Sequence, residues 1–259
     1  MAESNAIDTS VPHAARMWNY WMGGKDNYES DRAAGEAVAD VYPHIVTMAR
    51  QSRRFLIRIV RHLAADAGIR QFIDVGTGLP TMQNTHEVAQ SIAPESKIVY
   101  VDNDPLVLAH ARALLGSLTS EGATRYVHAD YHDPEKIIEA AREVLDFREP
   151  IAVMFMGVLG YEPDLKVVRS IVERMMEPTV PGSHLVLWDG TNTDPAVVEG
   201  AEKLVESGGV PYILRSPDEL AGCFEGLDLL PPGLVRITEW RPDGDTVPID
   251  AYGAVARKP

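Results

Sequence analysis

The sequence is poor in cysteine, in positive charge and in long apolar runs. Cys223 is its one cysteine, which excludes both an internal disulfide framework and a cysteine-based metal cluster. The formal net charge of -14 argues against a nucleic-acid partner, because phosphate contacts need clustered lysine and arginine. We interpret the arginines at 50, 53, 54, 58 and 61 as the solvent-exposed face of a helix.

Long apolar segments are also absent. The longest uncharged apolar run, residues 151–160, is too short for a bilayer, which needs about 20 apolar residues. The first residues lack a charged-then-apolar targeting pattern. We therefore expect a cytoplasmic protein with no membrane partner. With 45% hydrophobic residues, the chain can form one large α/β domain, with or without a cap.

Residues 71–80, QFIDVGTGLP, predict a buried strand that opens into a glycine turn. Gly76 and Gly78 permit backbone conformations that a Cβ atom disfavours. In a three-layer α/β fold, this junction lies at the carboxyl edge of the sheet, where ligands bind. The stretch is therefore a candidate small-molecule site.

Asp74 bears on which ligand this site would take. A dinucleotide site uses the pattern GxGxxG, and here Thr81 stands in place of the third glycine. A carboxylate at the mouth of the loop would repel an anionic pyrophosphate, whereas it would attract a sulfonium cation with an amino-acid tail. Both cofactor classes are still open at this point.

Two further predicted strands also end in acids. Asp102 closes the strand at residues 97–102, where either class of cofactor would place two ribose hydroxyls. Asp130 follows a strand at residues 125–128, and its carboxylate can accept the exocyclic amine of an adenine, with Tyr131 beside the ring. The same region, with His128, His132 and Asp133, also suggests a metal site. We predict none, because alternate residues of an extended segment point to opposite faces.

Near the N-terminus, aromatic residues surround the glycine-rich turn GGKDN. Residues 17–22 suit a short helix that Gly23 and Gly24 end. This helix either packs plainly by its aromatic face or forms a lid over the site. Helices predicted at residues 30–40 and 44–67 complete a helical cap, residues 1–68, which precedes a ligand-binding domain, residues 69–259.

The remainder of the chain alternates strands with helices. Strands are predicted at residues 150–156 and 183–188, with helices beginning near residues 83, 104, 134, 195 and 218. Residues 234–240 and 250–256 are predicted to form an antiparallel hairpin through a turn at 242–245. Five strand-helix units followed by such a hairpin are typical of class I methyltransferases, and a plain dinucleotide domain has no reason to end so.

The pattern Asp74-x-Gly76-x-Gly78, together with Asp102, Asp130 and the hairpin, resembles class I S-adenosylmethionine-dependent methyltransferases. Residues 8–37, which contain the block ARMWNYWMGGKDNY at 15–28, and FIDVGTGLPTMQNTHEVAQ, residues 72–90, are similar to the DUF574 family of S-adenosyl methyltransferases. The first segment departs from the family at positions 18 and 19, where Trp and Asn replace the frequent Tyr and Asp.

The resemblance implies a three-layer Rossmann-like α/β fold, mostly parallel with a C-terminal antiparallel strand, and S-adenosylmethionine as cosubstrate. It implies methyl transfer but identifies no acceptor, which we expect to be a small molecule. The alternatives are a protein that binds S-adenosylmethionine or S-adenosylhomocysteine without turnover, as a regulator or partner, and an NAD-dependent oxidoreductase.

The residues expected at the cosubstrate lie at the strand tips, in the loop after the fourth strand and in the N-terminal segment at residues 15–28. They are Asp74, Gly76, Thr77, Gly78, Asp102, Asn103, Asp130, Tyr131, Met156, Gly157, Tyr20, Gly24, Lys25 and Asn27. No residue is assigned as a general base, although His132, Tyr161 and Glu162 are expected near the cleft.

Overall fold

A computed structural model describes residues 8–79, 83–107, 109, 121–245 and 247–259. The strands in these ranges are β1 (Gln71–Val75), β2 (Lys97–Asp102), β3 (Ala123–His128), β4 (Ala152–Met156), β5 (His184–Gly190), β6 (Asp228–Leu229), β7 (Val235–Arg236) and β8 (Ala251–Arg257). They form one sheet in the order β3-β2-β1-β4-β5-β8-β6, and β7 also pairs with β8.

The helices in the same ranges are α1 (Ala14–Trp21), α2 (Glu29–Val41), α3 (His44–Ala65), α4 (Thr85–Ile92), α5 (Pro134–Ala141), α6 (Leu165–Met176), α7 (Pro195–Glu206) and α8 (Pro217–Ala221). Short 3-10 turns lie at Leu159–Tyr161 and Gly222–Phe224. The helix predicted after Asp104 falls mostly outside the described residues, as do Pro80 and Thr81.

The sheet is buried on both faces, which makes the fold three-layered. Alternate residues of β1 point to opposite sides, so Ile73 packs with α5 and α6 while Phe72 packs with α3 and α4. Parallel pairing of β1 with β2 and β4 gives near-continuous apolar strands. The predicted α/β class and mostly parallel sheet are confirmed.

The C-terminal part of the prediction is correct in direction but wrong in detail. β8 pairs antiparallel with β5 along seven residue pairs, and β7 pairs antiparallel with β8. However, β7 holds only two of the residues predicted at 234–240, and the described residues between β7 and β8 form no tight turn that joins the two strands. The strand ends because Glu239 N donates to Arg236 O in a turn. The Arg58 guanidinium donates hydrogen bonds to the carbonyls of Ile237 and Trp240.

The arginine-rich stretch also differs from expectation. The residues at 50, 54 and 61 are exposed, as predicted for a solvent face. Arg58 is buried and bonds the loop after β7, and Arg53 is partly buried at the carboxyl edge of the sheet. Both lie three residues from a buried apolar residue of α3, Phe55 or Leu56, which places them at the margin of its packed face.

None of the described helices combines the length and apolar character that a bilayer-spanning segment needs.

Candidate functional site

A cavity of about 340 Å³ lies at the carboxyl ends of β1 to β4. The loops after these strands form its floor, and α1 and α3 form the facing wall. Ten of the fourteen predicted site residues line it: Asp74, Gly76, Thr77, Gly78, Asp102, Asn103, Asp130, Tyr131, Met156 and Gly157. The edge of the parallel sheet thus brings together residues from four separate loops.

Asp74 lies at the deep end of the cavity and is 2% exposed. Its Oδ2 accepts a hydrogen bond of 2.6 Å from Thr85 Oγ1, while Oδ1 accepts none within the described residues. Burial raises the pKa of Asp74 to about 6, although Thr85 and the charge of Arg53 oppose the rise. A buried carboxylate oxygen without a donor is costly, and a cationic or N–H-bearing ligand would satisfy it.

The turn after β1 is shaped by glycine. Gly76 has φ +71° and Gly78 has φ +64°, which L-residues rarely adopt. A Cβ at Gly76 would also collide with the side chain of Val158, from the loop after β4. The N–H groups of Gly76 and Thr77 both donate to Val101 O, which holds the turn against β2.

Asp102, at the tip of β2, is 8% exposed and fixes the two neighbouring loops. One carboxylate oxygen accepts from Gly78 N at 2.8 Å, and the other accepts from Asp104 N at 2.9 Å. Burial raises the pKa of Asp102, and these two hydrogen bonds oppose it. Each carboxylate oxygen has a second lone pair, so the residue can still accept ligand hydroxyls from the cavity.

Asp130, after β3, belongs to a polar cluster at the outer end of the cavity. It accepts hydrogen bonds from Asn103 Nδ2 at 3.1 Å and from the backbone N–H of His132 at 2.9 Å. The His132 ring bridges Asp130 and Glu162, with distances of 2.6 and 2.7 Å. Partial burial works to raise the pKa of Asp130, but the hydrogen bonds from His132 and Asn103 outweigh it and lower that pKa.

The far side of the cavity is apolar. Gly157 follows β4 with φ +76°, and a Cβ there would meet the indole of Trp188. Trp188, on β5, packs edge-to-face with Trp18 of α1 at 6.0 Å between ring centroids. Tyr131 and Met156 complete this side.

The other four predicted residues do not reach the cavity wall. Tyr20 donates to Glu36 on α2, and Lys25 is exposed. Asn27 donates to the carbonyl of Gly24 and to the side chain of buried Asn19. The polar groups of the GGKDN turn therefore hydrogen-bond within the turn and with Asn19. The proposed site does not include Tyr20, Gly24, Lys25 and Asn27.

A buried carboxylate holds α1 in its place over the cavity. Asp31 is 0% exposed and accepts hydrogen bonds of 2.8 Å from the backbone N–H groups of His13 and Tyr28. Arg16 lies 3.3 Å from the same carboxylate. The His13 ring reaches the cavity and lies 2.9 Å from Asp104, after β2.

Sequence reasoning missed Arg53, His13 and Trp188 as cavity residues. Arg53 brings the positive charge that faces Asp74, and its guanidinium donates to Asn84 Oδ1 at 2.8 Å. Helical spacing from Ala49 and Leu56 places Arg53 beside the packed face of α3, and this signal was available in the sequence. No comparable local signal exists for His13 or Trp188.

Among the described residues, no group of three or more His, Cys, Asp or Glu side chains is arranged to hold a metal ion. His128 contacts the carbonyl of Asn103 instead, and His132 is engaged by two carboxylates.

Comparisons with known proteins agree with this geometry. The family model described as S-adenosyl methyltransferase matches residues 1–259. A DUF574 family protein from Streptomyces avermitilis MA-4680, solved at 1.80 Å, is 42% identical with a TM-score of 0.94, over 98% of this chain and 100% of that one. No curated protein is similar in sequence at a significant level.

Two further solved structures are similar. A candidate methyltransferase from Thermobifida fusca YX is 37% identical with a TM-score of 0.90, over 100% of this chain and 99% of that one. Human N-acetylserotonin methyltransferase, solved with S-adenosylmethionine, is 14% identical with a TM-score of 0.51, over 88% of this chain and 57% of that one. This last likeness concerns the fold alone. The chain belongs to the S-adenosyl methyltransferase family, with the class I fold and S-adenosylmethionine as cosubstrate.

Proposed function

We propose that the 340 Å³ cavity binds S-adenosylmethionine and that the protein transfers its methyl group to a small-molecule acceptor. The observation that carries this proposal is the convergence of Asp74, Asp102 and Asp130, from three neighbouring strand tips, on one cavity. The volume lies near the lower end of the range of about 300–1,000 Å³ for small-molecule sites. One nucleoside with an amino-acid tail would occupy most of it.

The charges at the deep end suit a zwitterionic tail. Asp74 Oδ1 can accept an ammonium N–H, and Arg53 offers a positive charge to the carboxylate of the same tail. Asp102 can accept ribose hydroxyls with its second lone pairs. Asp130 can accept the exocyclic amine of adenine, with Tyr131 beside the ring. A sulfonium between these carboxylates would be stabilised by their negative potential.

When bound, S-adenosylmethionine would supply an activated methyl carbon: the acceptor's lone pair would form the new bond, the electrons of the carbon–sulfur bond would return to sulfur, and the proton of an O–H or N–H acceptor would leave to solvent. The protein's own contribution is alignment and exclusion of water. We propose that residues 1–68 act as the cover and residues 69–259 as the cosubstrate-binding domain. Helix α1 supports the first part of this division, because Ala14, Ala15, Trp18 and Met22 close one wall of the cavity.

The test is isothermal titration of the full chain with S-adenosylhomocysteine. We expect Asp102→Asn to weaken binding by about 1–3 kcal/mol, since charged hydrogen bonds are lost. Asp228→Asn, at an exposed position on β6, is the control and should bind as the wild type does. Thermal unfolding of both variants establishes that they fold. Equal affinity in the folded Asp102→Asn variant would contradict the site.

A further inference from the structure

A second, smaller cavity of about 70 Å³ adjoins the first one. Trp18, Tyr161 and Trp188 line both, so these three rings form the partition between them. The Trp18 and Trp188 rings meet edge-to-face, and burial raises the pKa of Tyr161 while a side-chain hydrogen bond with Trp18 opposes this rise. The second cavity therefore lies directly behind the aromatic side of the proposed cosubstrate site.

The walls of this cavity are apolar and come from both ends of the chain. Met17 and Trp21 lie on α1, Leu204 lies on α7, and Leu214 lies in the segment after α7. Among the described residues that line it, none carries a charged side chain. A charged group would lose its hydration here without gaining a partner, so the cavity favours neutral ligands.

The tyrosines on the wall set the remaining polarity. Tyr212 donates its hydroxyl proton to the buried Asp189, and Tyr42 donates to Asp250 at 3.2 Å. Because each phenol proton is already used, each oxygen can offer only a lone pair to a ligand. The backbone N–H of Gly190 lies 3.3 Å from the Tyr212 oxygen and takes part of its accepting capacity. A ligand that meets these oxygens would have to donate an O–H or N–H.

The small volume limits what fits. It is about half the roughly 150 Å³ of an engineered apolar cavity known to bind benzene. An alkyl group or the edge of one ring would fill it, and the rest of such a molecule would extend past the partition toward the loop after β4. A large polar acceptor is disfavoured by both volume and lining.

We propose that this second cavity is the acceptor subsite and that it selects a neutral, mainly apolar small molecule carrying one hydroxyl or amine N–H. The inference rests on the proposed function, since an acceptor exists only if the first cavity binds the methyl donor. The partition of Trp18, Tyr161 and Trp188 would then separate the two ligands except where the nucleophile meets the methyl group.

The probe is 4-fluorophenol, whose binding is followed by fluorine NMR with and without saturating S-adenosylhomocysteine. Ala201 lines the second cavity and is only partly buried, so Ala201→Phe can fill the space. The matched control is Val198→Phe on the same helix, at a position 38% exposed and outside the lining. We expect about tenfold weaker probe binding in Ala201→Phe, about wild-type binding in Val198→Phe, and about tenfold weaker binding of the anion 4-fluorobenzoate to the wild type.

The outcomes separate the two proposals. If S-adenosylhomocysteine binds all three proteins, but 4-fluorophenol fails to bind or binds regardless of position 201, the acceptor subsite is wrong and the proposed function stands. Equal binding of 4-fluorobenzoate would overturn the selectivity for neutral ligands. If S-adenosylhomocysteine does not bind the wild type, the proposed function fails and the acceptor role fails with it, whatever the probe does.

Discussion

The His13 ring lies 2.9 Å from the carboxylate of Asp104, and this contact joins the start of α1 to the loop after β2. It links the wall of the cavity to its floor beside Asp102. Asp104 is held there by its own role in the next turn, where its carboxylate accepts from Leu106 N at 2.8 Å. The covering helix is therefore attached to the same loop that the cosubstrate ribose is proposed to contact.

Removing this contact should weaken the attachment of α1 to the loop after β2 more than it lowers the stability of the whole protein. We expect His13→Ala to weaken S-adenosylhomocysteine binding by about 1 kcal/mol, the size of one hydrogen-bonding contact, with a small change in unfolding free energy. Titration calorimetry and urea unfolding measure the two effects. His44→Ala, at an exposed position that begins α3, is the control and should alter neither. Unchanged affinity in His13→Ala would contradict a role for the contact in holding the cover.

The buried charge of Asp74 is predicted to lower the stability of the ligand-free protein while it strengthens the binding of S-adenosylmethionine. Its pKa is about 6 in the fold and about 3.9 in an unfolded chain. The folded state thus holds this proton more tightly, so the contribution of Asp74 to stability is lost as pH rises from about 4 to 6. The substitution Asp74→Asn removes this fall in stability with rising pH, and the amide oxygen of asparagine can still accept the hydrogen bond from Thr85.

We therefore expect ligand-free Asp74→Asn to exceed the wild type in unfolding free energy by about 1–3 kcal/mol at pH 8, with a gap that narrows toward pH 4.5. Its affinity for S-adenosylmethionine should fall. Urea unfolding at both pH values and titration calorimetry at pH 8 provide the measurements. A variant no more stable than the wild type at pH 8 would argue against the buried charge.

A side chain at position 76 should destabilise the fold for two reasons, the positive φ angle and a steric contact with Val158. Gly76→Ala meets both the positive φ of +71° and the side chain of Val158, whereas Gly208→Ala meets only a positive φ, +83°, in open space. We expect Gly208→Ala to cost about 1 kcal/mol and Gly76→Ala to cost at least about 1 kcal/mol more, because packing must also adjust. Urea unfolding compares the two. Equal costs would show that Val158 moves aside freely.

His132 should titrate above its ordinary range. Partial burial works to lower its pKa, but the carboxylates of Glu162 and Asp130 outweigh this effect and raise it. The raised pKa means that the bridge stabilises the fold at low pH and that this contribution is lost as pH rises through the folded pKa. We expect Glu162→Gln to shift the NMR titration of the His132 ring to lower pH. A titration that does not move would show that Glu162 is not its partner.

How far the sequence predicts this molecule depends on whether a signal is local. Asp74 lies near the end of β1, Asp102 ends β2 and Asp130 follows β3. Parallel strands bring their carboxyl ends to one edge, and ten of the residues expected at the cosubstrate line the cavity there. Tyr20, Gly24, Lys25 and Asn27 do not line this cavity, and polar groups of the GGKDN turn hydrogen-bond to Asn19 instead. Arg58 was predicted to be exposed but is buried, because its hydrogen-bond partners, Ile237 and Trp240, are remote in the sequence and leave no local signal.

The contact between Trp18 and Trp188 has a consequence for synthesis. Trp18 is synthesised before β1, whereas Trp188 lies on β5. A nascent polypeptide shorter than β5 therefore lacks the wall on which both cavities depend. Nucleoside binding against this wall should therefore begin only after β5 has been synthesised.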